Sequence, residues 1–197
     1  MTKVIADMSM SLDGYIADPE DGIDQLFGWF GNGDVATPSA NPHVTFQTSE
    51  ASAGVLRRAL ADVGALVAGR HLYDLAGGWG GSHPMGAPIF VVTHNAPAEA
   101  PQGDTPITFV TGGVAAAVAR AREAAGDKDV VVASAKIAQQ CLEAGLLDEV
   151  SVNLVPVVLG AGVPYFESVA TAPVRLADPD VIEGTGVTHL RYRVEKA

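Results

Sequence analysis

Residues Val130–Gln140 read VVVASAKIAQQ, and the fold turns on them. Three consecutive valines after Asp129 read as a short strand buried on both faces. From Ala135 the pattern changes: AKIAQQCLEAG spaces Ile137, Ala138, Cys141 and Leu142 along one side of a helix that Gly145 stops. A strand running straight into a helix, with small residues at the junction, is where a parallel sheet points helix N–H groups at an anion. Such junctions commonly carry glycine, yet Ala133-Ser134-Ala135-Lys136 has none. Two readings follow: a phosphate turn with its glycines replaced, or a turn that binds nothing. Ala and Ser are small enough for close approach, and Lys136 adds a charge. A non-glycine residue costs about 1–2 kcal/mol only where the turn demands a positive φ.

Working outward, the same alternation recurs. Lys3–Met10 reads as an opening strand, followed by the turn-like SLDGYIADPEDG, and residues 27–42 read as a long irregular loop. Thr48 and Ser49 are placed to cap a helix running to about Val63. ALVAG (65–69) is an apolar strand, RHLYDL a brief helix, and GGWGG a loop. PIFVVTH (88–94) and PITFVTG (106–112) are further strands, and the Ala-rich VAAAVARAREAAG is a helix stopped by Gly126. EVSVNLVPVVL reads as one long strand, and PVRLADPDVIEG with GVTHLRYRVEK as a closing hairpin. Strands alternating with helices predict an α/β fold, a doubly wound, mostly parallel sheet with a C-terminal antiparallel hairpin. With neither a repeat nor a linker, residues 1–197 are expected to form a single domain.

Composition narrows the function. A net charge of −11 leaves little basic surface for nucleic acid or an anionic membrane. No apolar run approaches membrane-spanning length, and no secretory leader is visible, so a cytoplasmic location is the expectation. Cys141, the one cysteine, falls inside the amphipathic helix and reads as a small hydrophobe rather than a nucleophile. The five histidines show no metal-ligand spacing, and no G-x-S-x-G elbow is present.

Ligands of open α/β sheets bind beyond the carboxyl ends of the strands. That rule selects Gly69-Arg70-His71, Thr93-His94-Asn95 and residues 133–137. At the first, backbone N–H groups, a guanidinium and an imidazole suit a phosphate, although Arg70 pairing with a surface carboxylate is the plainer account. The second suits a ribose 2′-phosphate or is an ordinary turn. Asp13 serves either proton transfer or a backbone turn. Trp29, Phe30 and Trp79 either line a pocket for a flat ligand or cap the core.

Read in order, MSLDGYIA, VAGRHLYD, PIFVVTH and GDKDVVVASAKIAQQCLEAGLLDEVSVNLVPVVLGAGVPYF resemble the dihydrofolate reductase-like superfamily, most closely the branch of the riboflavin-biosynthesis reductase domain. The resemblance implies an NADPH-dependent reductase of a small, heteroaromatic substrate, often a homodimer. It places Gly69, Arg70 and His71 at the cofactor phosphates and Thr93 and His94 near the adenosine 2′-phosphate. Ala17 falls near the nicotinamide, and Ser134, Ala135, Lys136 and Ile137 form the pyrophosphate turn. Asp13 matches the aspartate of the branch's MSLDG motif and is the nominated catalytic carboxylate; no metal is implied. The riboflavin-pathway enzymes carry Glu-Gly-Gly where this chain has Val132-Ala133-Ser134, which argues against that pathway's reduction. Asp24 is the nearest match to the folate-binding acid. The alternative is a non-catalytic ligand-binding module that kept the fold, and a third reading is a purely structural dimer.

Overall fold

The computed structural model describes residues 2–99 and 101–196. Strand β1 (Val4–Ser11) and the short β2 (Tyr15–Ala17) lead into helix α1 (Asp24–Phe27). A hairpin of β3 (Val35–Pro38) and β4 (Thr45–Thr48) precedes α2 (Glu50–Asp62), β5 (Val63–Gly69) and α3 (Arg70–Leu75). Then come β6 (Ile89–Val92), β7 (Ile107–Val110), α4 (Gly113–Ala125), β8 (Asp129–Ala133), α5 (Ala135–Glu143) and β9 (Glu149–Val155). The chain closes with β10 (Val163–Pro164), β11 (Asp180–Gly184) and β12 (Val187–Arg193).

Eight strands form one sheet in the order β11-β12-β9-β1-β8-β5-β6-β7. All pairings from β9 to β7 are parallel, and β11 and β12 are added antiparallel at one edge. This is the expected doubly wound sheet with its terminal hairpin. From β1 the chain passes through α2 to β5, β6 and β7, then returns through α4 to place β8 between β1 and β5. That reversal brings the ends of β1, β5 and β8 side by side.

The two faces of the sheet differ in chemistry. One carries Val4, Ala6, Val67, Val130, Val132, Val150 and Val152, packed against Ala117, Val118 and Ala121 of α4 and Ile137, Ala138 and Cys141 of α5. Full burial of each such valine stabilises by roughly 1.5–3 kcal/mol, and the alanines let the helices sit close. Cys141 is inert there, its thiol pushed up to about 12 by burial. The other face is covered by α2 and α3. Ser49 caps α2 as expected, its side chain accepting from Ser52 N at 3.4 Å.

Several elements depart from the sequence expectations. The strand expected over EVSVNLVPVVL ends at Val155, because Pro156 has no N–H to continue the ladder. The stretch 27–42 is not an irregular loop: it contains a helical turn at Gly28–Gly31 and the strand β3. Its aromatic residue Trp29 is buried and donates from Nε1 to Ser9 Oγ at 3.1 Å, so it caps the core. GGWGG is a continuous left-handed turn, with φ between +52° and +79° from Gly77 to Gly81, which four glycines make affordable. The turn-like SLDGYIADPEDG includes β2, and the first strand of the closing hairpin is only Asp180–Gly184. Among the described residues no helix is long and apolar enough to cross a membrane.

Candidate active site

The carboxyl ends of β5, β6 and β7 and the start of α5 enclose a cleft of about 430 Å³. Arg70, Thr93, His94, Asn95 and Ile137 line it, joined by Thr111, Gly113 and Gln140, which the sequence reading did not single out. The structure therefore unites residues separated by more than 60 positions, as the strand-end rule requires. Helices α4 and α5 both begin beside the cleft, and neither has a side-chain cap on its first turn. Their leading N–H groups are open to an anion.

Arg70 takes the plainer account in part. Its Nε donates to both carboxylate oxygens of Asp74, at 2.8 and 2.9 Å, and Nη1 donates to the Asn95 carbonyl at 2.9 Å. Nη2 is used by neither bond. The pair with Asp74 is a surface i,i+4 contact of about 0.3–0.5 kcal/mol, whereas a charged hydrogen bond to a phosphate contributes about 1.5–3 kcal/mol. His71 points elsewhere: its exposed ring meets Asp21 Oδ2 at 3.0 Å and does not line the cleft. Thr93 Oγ1 donates to the Asn95 carbonyl at 2.9 Å and accepts from Asn95 N at 3.2 Å, which holds His94 outward at the rim. Lys136 is exposed, 3.7 Å from Glu167, and Ala17 is buried and paired with Val163.

Ser134 decides what kind of turn joins β8 to α5. Its φ is +90° and its ψ is 141°, a conformation that favours glycine, so the turn does demand what its sequence lacks. Two contacts hold it there. Ser134 Oγ accepts from Gly69 N at 3.1 Å, and Ser134 N reaches Met8 Sδ at 3.5 Å. A thioether is a weak acceptor, so this N–H is readily given up to an anionic oxygen. Gly69 lets β5 pass this close: a Cβ there would lie 3.0 Å from Ser134 Oγ and 3.2 Å from Ile137 Cγ1.

Asp13 lies on the surface, away from the cleft's lining. Its Oδ1 accepts from Leu159 N at 3.1 Å and Oδ2 from Gly160 N at 2.7 Å. With the Ser11 side chain, these bonds hold the carboxyl below its usual range. Its geometry is that of a clamp fastening the LGAG loop to the β1–β2 turn, and a carboxyl so held is a poor proton donor near neutrality. Asp24 is exposed at the start of α1. Two acids are drawn into the fold: Glu149, buried and paired with Lys3 and Arg191, and Asp7, half-buried on the polar face of β1 beneath α2, which the sequence reading missed. Burial pushes its carboxyl up against the opposing pull of Ser151, Asn153 and Arg191. The signal was there: in VIADMSMS, Asp7, Ser9 and Ser11 recur with the period of a strand, so one face of a core strand is polar.

The family profile of the RibD C-terminal domain matches residues 83–186, just over half of the chain, including the cleft's rim and the β8–α5 turn. The chain belongs to the RibD C-terminal domain family. No curated protein sequence matches it. Among solved structures, it is similar to a protein from Shewanella sp. PV-4 provisionally assigned to riboflavin biosynthesis, at 24% identity and TM-score 0.74, covering 99% of this chain and 100% of that one. It is also similar to the diaminohydroxyphosphoribosylaminopyrimidine deaminase/5-amino-6-(5-phosphoribosylamino)uracil reductase of Thermotoga maritima, at 14% identity and TM-score 0.61, covering 98% of this chain but only 57% of that longer one. The third is a dihydrofolate reductase of Enterococcus faecalis complexed with NADP(H), at 12% identity and TM-score 0.55, covering 98% and 97%. At these identities the likeness is one of fold, and it agrees with the RibD C-terminal domain assignment and with the resemblance read from the sequence.

Proposed function

We propose that the chain is an NADPH-dependent reductase of a small, flat heteroaromatic substrate. The observation that carries this reading is the convergence of two uncapped helix starts, Arg70 and His94 on one cleft at the carboxyl ends of β5, β6 and β7. The residues present fit a dinucleotide. Arg70 Nη2, Thr93 and His94 meet the ribose phosphate, the N–H groups at Ser134–Ile137 hold the pyrophosphate, and Lys136 adds charge at the entrance. His71 supports the Arg70 turn through Asp21, and Ala17 lies towards the nicotinamide. Bound there, NADPH supplies a hydride, and water supplies the accompanying proton. The match of the fold to a dihydrofolate reductase holding NADP(H) supports the choice of cofactor.

The substrate side follows from β1 and β8. Their pairing ends at Ala6↔Val132, while β1 continues beside β9 to Ser11↔Val155. Beyond Ala6 the two strands part, and we place the substrate at that gap. Val132, fully buried among apolar groups, stands where the riboflavin-pathway enzymes carry Glu, which favours a substrate outside that pathway. Asp13 acts by positioning the loop at 159–160 rather than by proton transfer.

Titrating NADPH and NADH by quenching of tryptophan fluorescence tests the reading. NADPH should bind more tightly, and Arg70→Ala should weaken it by about 1–3 kcal/mol. Equal affinities, or no binding at millimolar cofactor, would refute it. The strained Ser134 favours a second reading, a ligand-binding module without turnover. Cofactor binding without oxidation by any substrate of a heteroaromatic panel would select it.

A further inference from the structure

The turn between β8 and α5 gives a backbone N–H to a sulfur. Met8 and Ser134 each stand two residues beyond Ala6↔Val132, the last pair of β1 and β8. Past that pair the strands part, and β1 continues beside β9. The ladder has ended at Ser134, and a side chain takes its N–H instead: Ser134 N donates to Met8 Sδ at 3.5 Å. A thioether is a weak acceptor. The residue so held is the strained one, at φ +90°, and its Oγ is fixed on Gly69 N at 3.1 Å, so the direction of this N–H is set. Met8 is half-buried against the apolar cluster under α4 and α5, with part of its side chain open to a small solute.

Oxidation changes the strength of that acceptor without moving it far. A sulfur lone pair of Met8 attacks one oxygen of hydrogen peroxide; the O–O bond breaks as the S–O bond forms. The departing hydroxide takes the proton of the transferred oxygen and leaves as water, the sulfur having lost two electrons and the peroxide gained them. The product is a sulfoxide, polar where the thioether was apolar. With Sδ 3.5 Å from Ser134 N, an oxygen on it tilted off the S···N line falls at ordinary N–H···O distance, about 2.7–3.2 Å. Cys141 does not compete for the oxidant, being buried with its thiol pushed up to about 12. We propose that Met8 is a peroxide-modified site, whose sulfoxide captures the Ser134 N–H and withdraws it from an incoming phosphate. This rests on the reductase reading, which gives that N–H to the cofactor's pyrophosphate. The sulfoxide oxygen, partly negative, also repels an anion at the turn, so oxidation lowers cofactor affinity and reduction of the sulfoxide restores it.

The test treats the full chain with hydrogen peroxide and locates the added oxygen by peptide mass. The amide resonance of Ser134 then reads the acceptor with no cofactor present, and calorimetric titration reads NADPH affinity. Met8 should gain one oxygen, the Ser134 amide proton should move downfield and exchange more slowly, and NADPH should bind at least tenfold more weakly. Methionine sulfoxide reductases A and B together should reverse all three. Met8→Leu should show the same NADPH affinity before and after peroxide. Met8→Gln, whose amide oxygen stands in for the sulfoxide's, should bind NADPH at least tenfold more weakly than the parent without peroxide, and it serves if Met8→Leu does not fold. An unmodified Met8, an unmoved Ser134 resonance, or an unchanged affinity in the oxidised chain overturns the proposal. So does an equal loss in peroxide-treated Met8→Leu, which would assign the effect to Met10 or Met85. A Ser134 shift on oxidation in a chain that binds no NADPH even when reduced keeps the acceptor change and overturns the reductase reading instead.

Discussion

The Ser134 turn makes a prediction whose sign is unusual. At an ordinary backbone position alanine is more stable than glycine by about 0.4–1 kcal/mol, because glycine leaves the unfolded chain more freedom. At φ +90° a side chain costs about 1–3 kcal/mol instead. Ser134→Ala and Ser134→Gly both delete the acceptor for Gly69 N, so that loss cancels between them. Glycine should then exceed alanine by about 0.5–2 kcal/mol, the backbone strain less the entropy term. Against the parent, alanine should lose about 0.5–1.5 kcal/mol with the hydrogen bond, and glycine should fall close to zero as the two effects offset. Urea unfolding reads the difference, and at about 2–4 °C per kcal/mol for a chain of this size so does Tm. Alanine equal to or more stable than glycine would mean that the turn is not strained, and the argument from φ would fail. A cofactor titration of the glycine variant adds a second reading: a gain of tenfold or more would show that the strained serine holds the turn's N–H groups away from the pyrophosphate.

Other outcomes follow from buried groups. The folded-state carboxyl of Asp7 lies above its ordinary value, so it costs nothing where both states are protonated, below the ordinary carboxylate range. The cost appears as pH rises through that range and is complete above the folded-state value; Asp7→Asn should raise Tm at neutral pH, and the gain should vanish in acid. Tyr165 is fully buried and its hydroxyl has no hydrogen-bond partner among the described residues. Tyr165→Phe should therefore stabilise by about 1–3 kcal/mol, read as a higher Tm; a loss of stability would show that the hydroxyl is satisfied. Light scattering at micromolar concentration should give twice the chain mass of 20.2 kDa, and a monomeric mass would refute the expected homodimer.

The fold was legible because its signals are local. Val130–Gln140 switches from period-free β-branched residues to a helical stripe within one turn, and Ser49, Gly126 and Gly145 punctuate the helices where expected. Where the reading failed, a single backbone property or a distant partner decided. Pro156 ends β9 by lacking a donor, although the valines beyond it look like strand. β3 exists only because β4 pairs with it, Val35 to Thr48, and neither segment has the apolar alternation that would announce it. The strand-end rule likewise located Arg70, Thr93, His94 and Ile137, but not the direction in which Arg70 and His71 point, since Asp74, Asn95 and Asp21 settle that in three dimensions.

The polar face shows what alternation can reveal when every residue of a strand is counted. VIADMSMS reads as apolar if hydrophobic residues alone are counted, and its odd positions then pass as tolerated exceptions. In the sheet those exceptions align with Ser151 and Asn153 of EVSVNLV and with His189 and Arg191 of VTHLRYR, three strands whose polar residues share one period and one face. No single strand makes the case, because a lone buried serine or aspartate is readily absorbed by a neighbour. Three in register are different: burying them costs more than an apolar core would, by at least the desolvation of each imperfectly paired group, about 1–3 kcal/mol. A second, wholly apolar face built from Val4, Ala6, Val130, Val132, Val150 and Val152 supplies the stability that lets the first remain polar. The sheet is thus divided into an apolar face that holds the fold and a face whose polar side chains, Asp7, Asn153 and His189 among them, hydrogen-bond to one another.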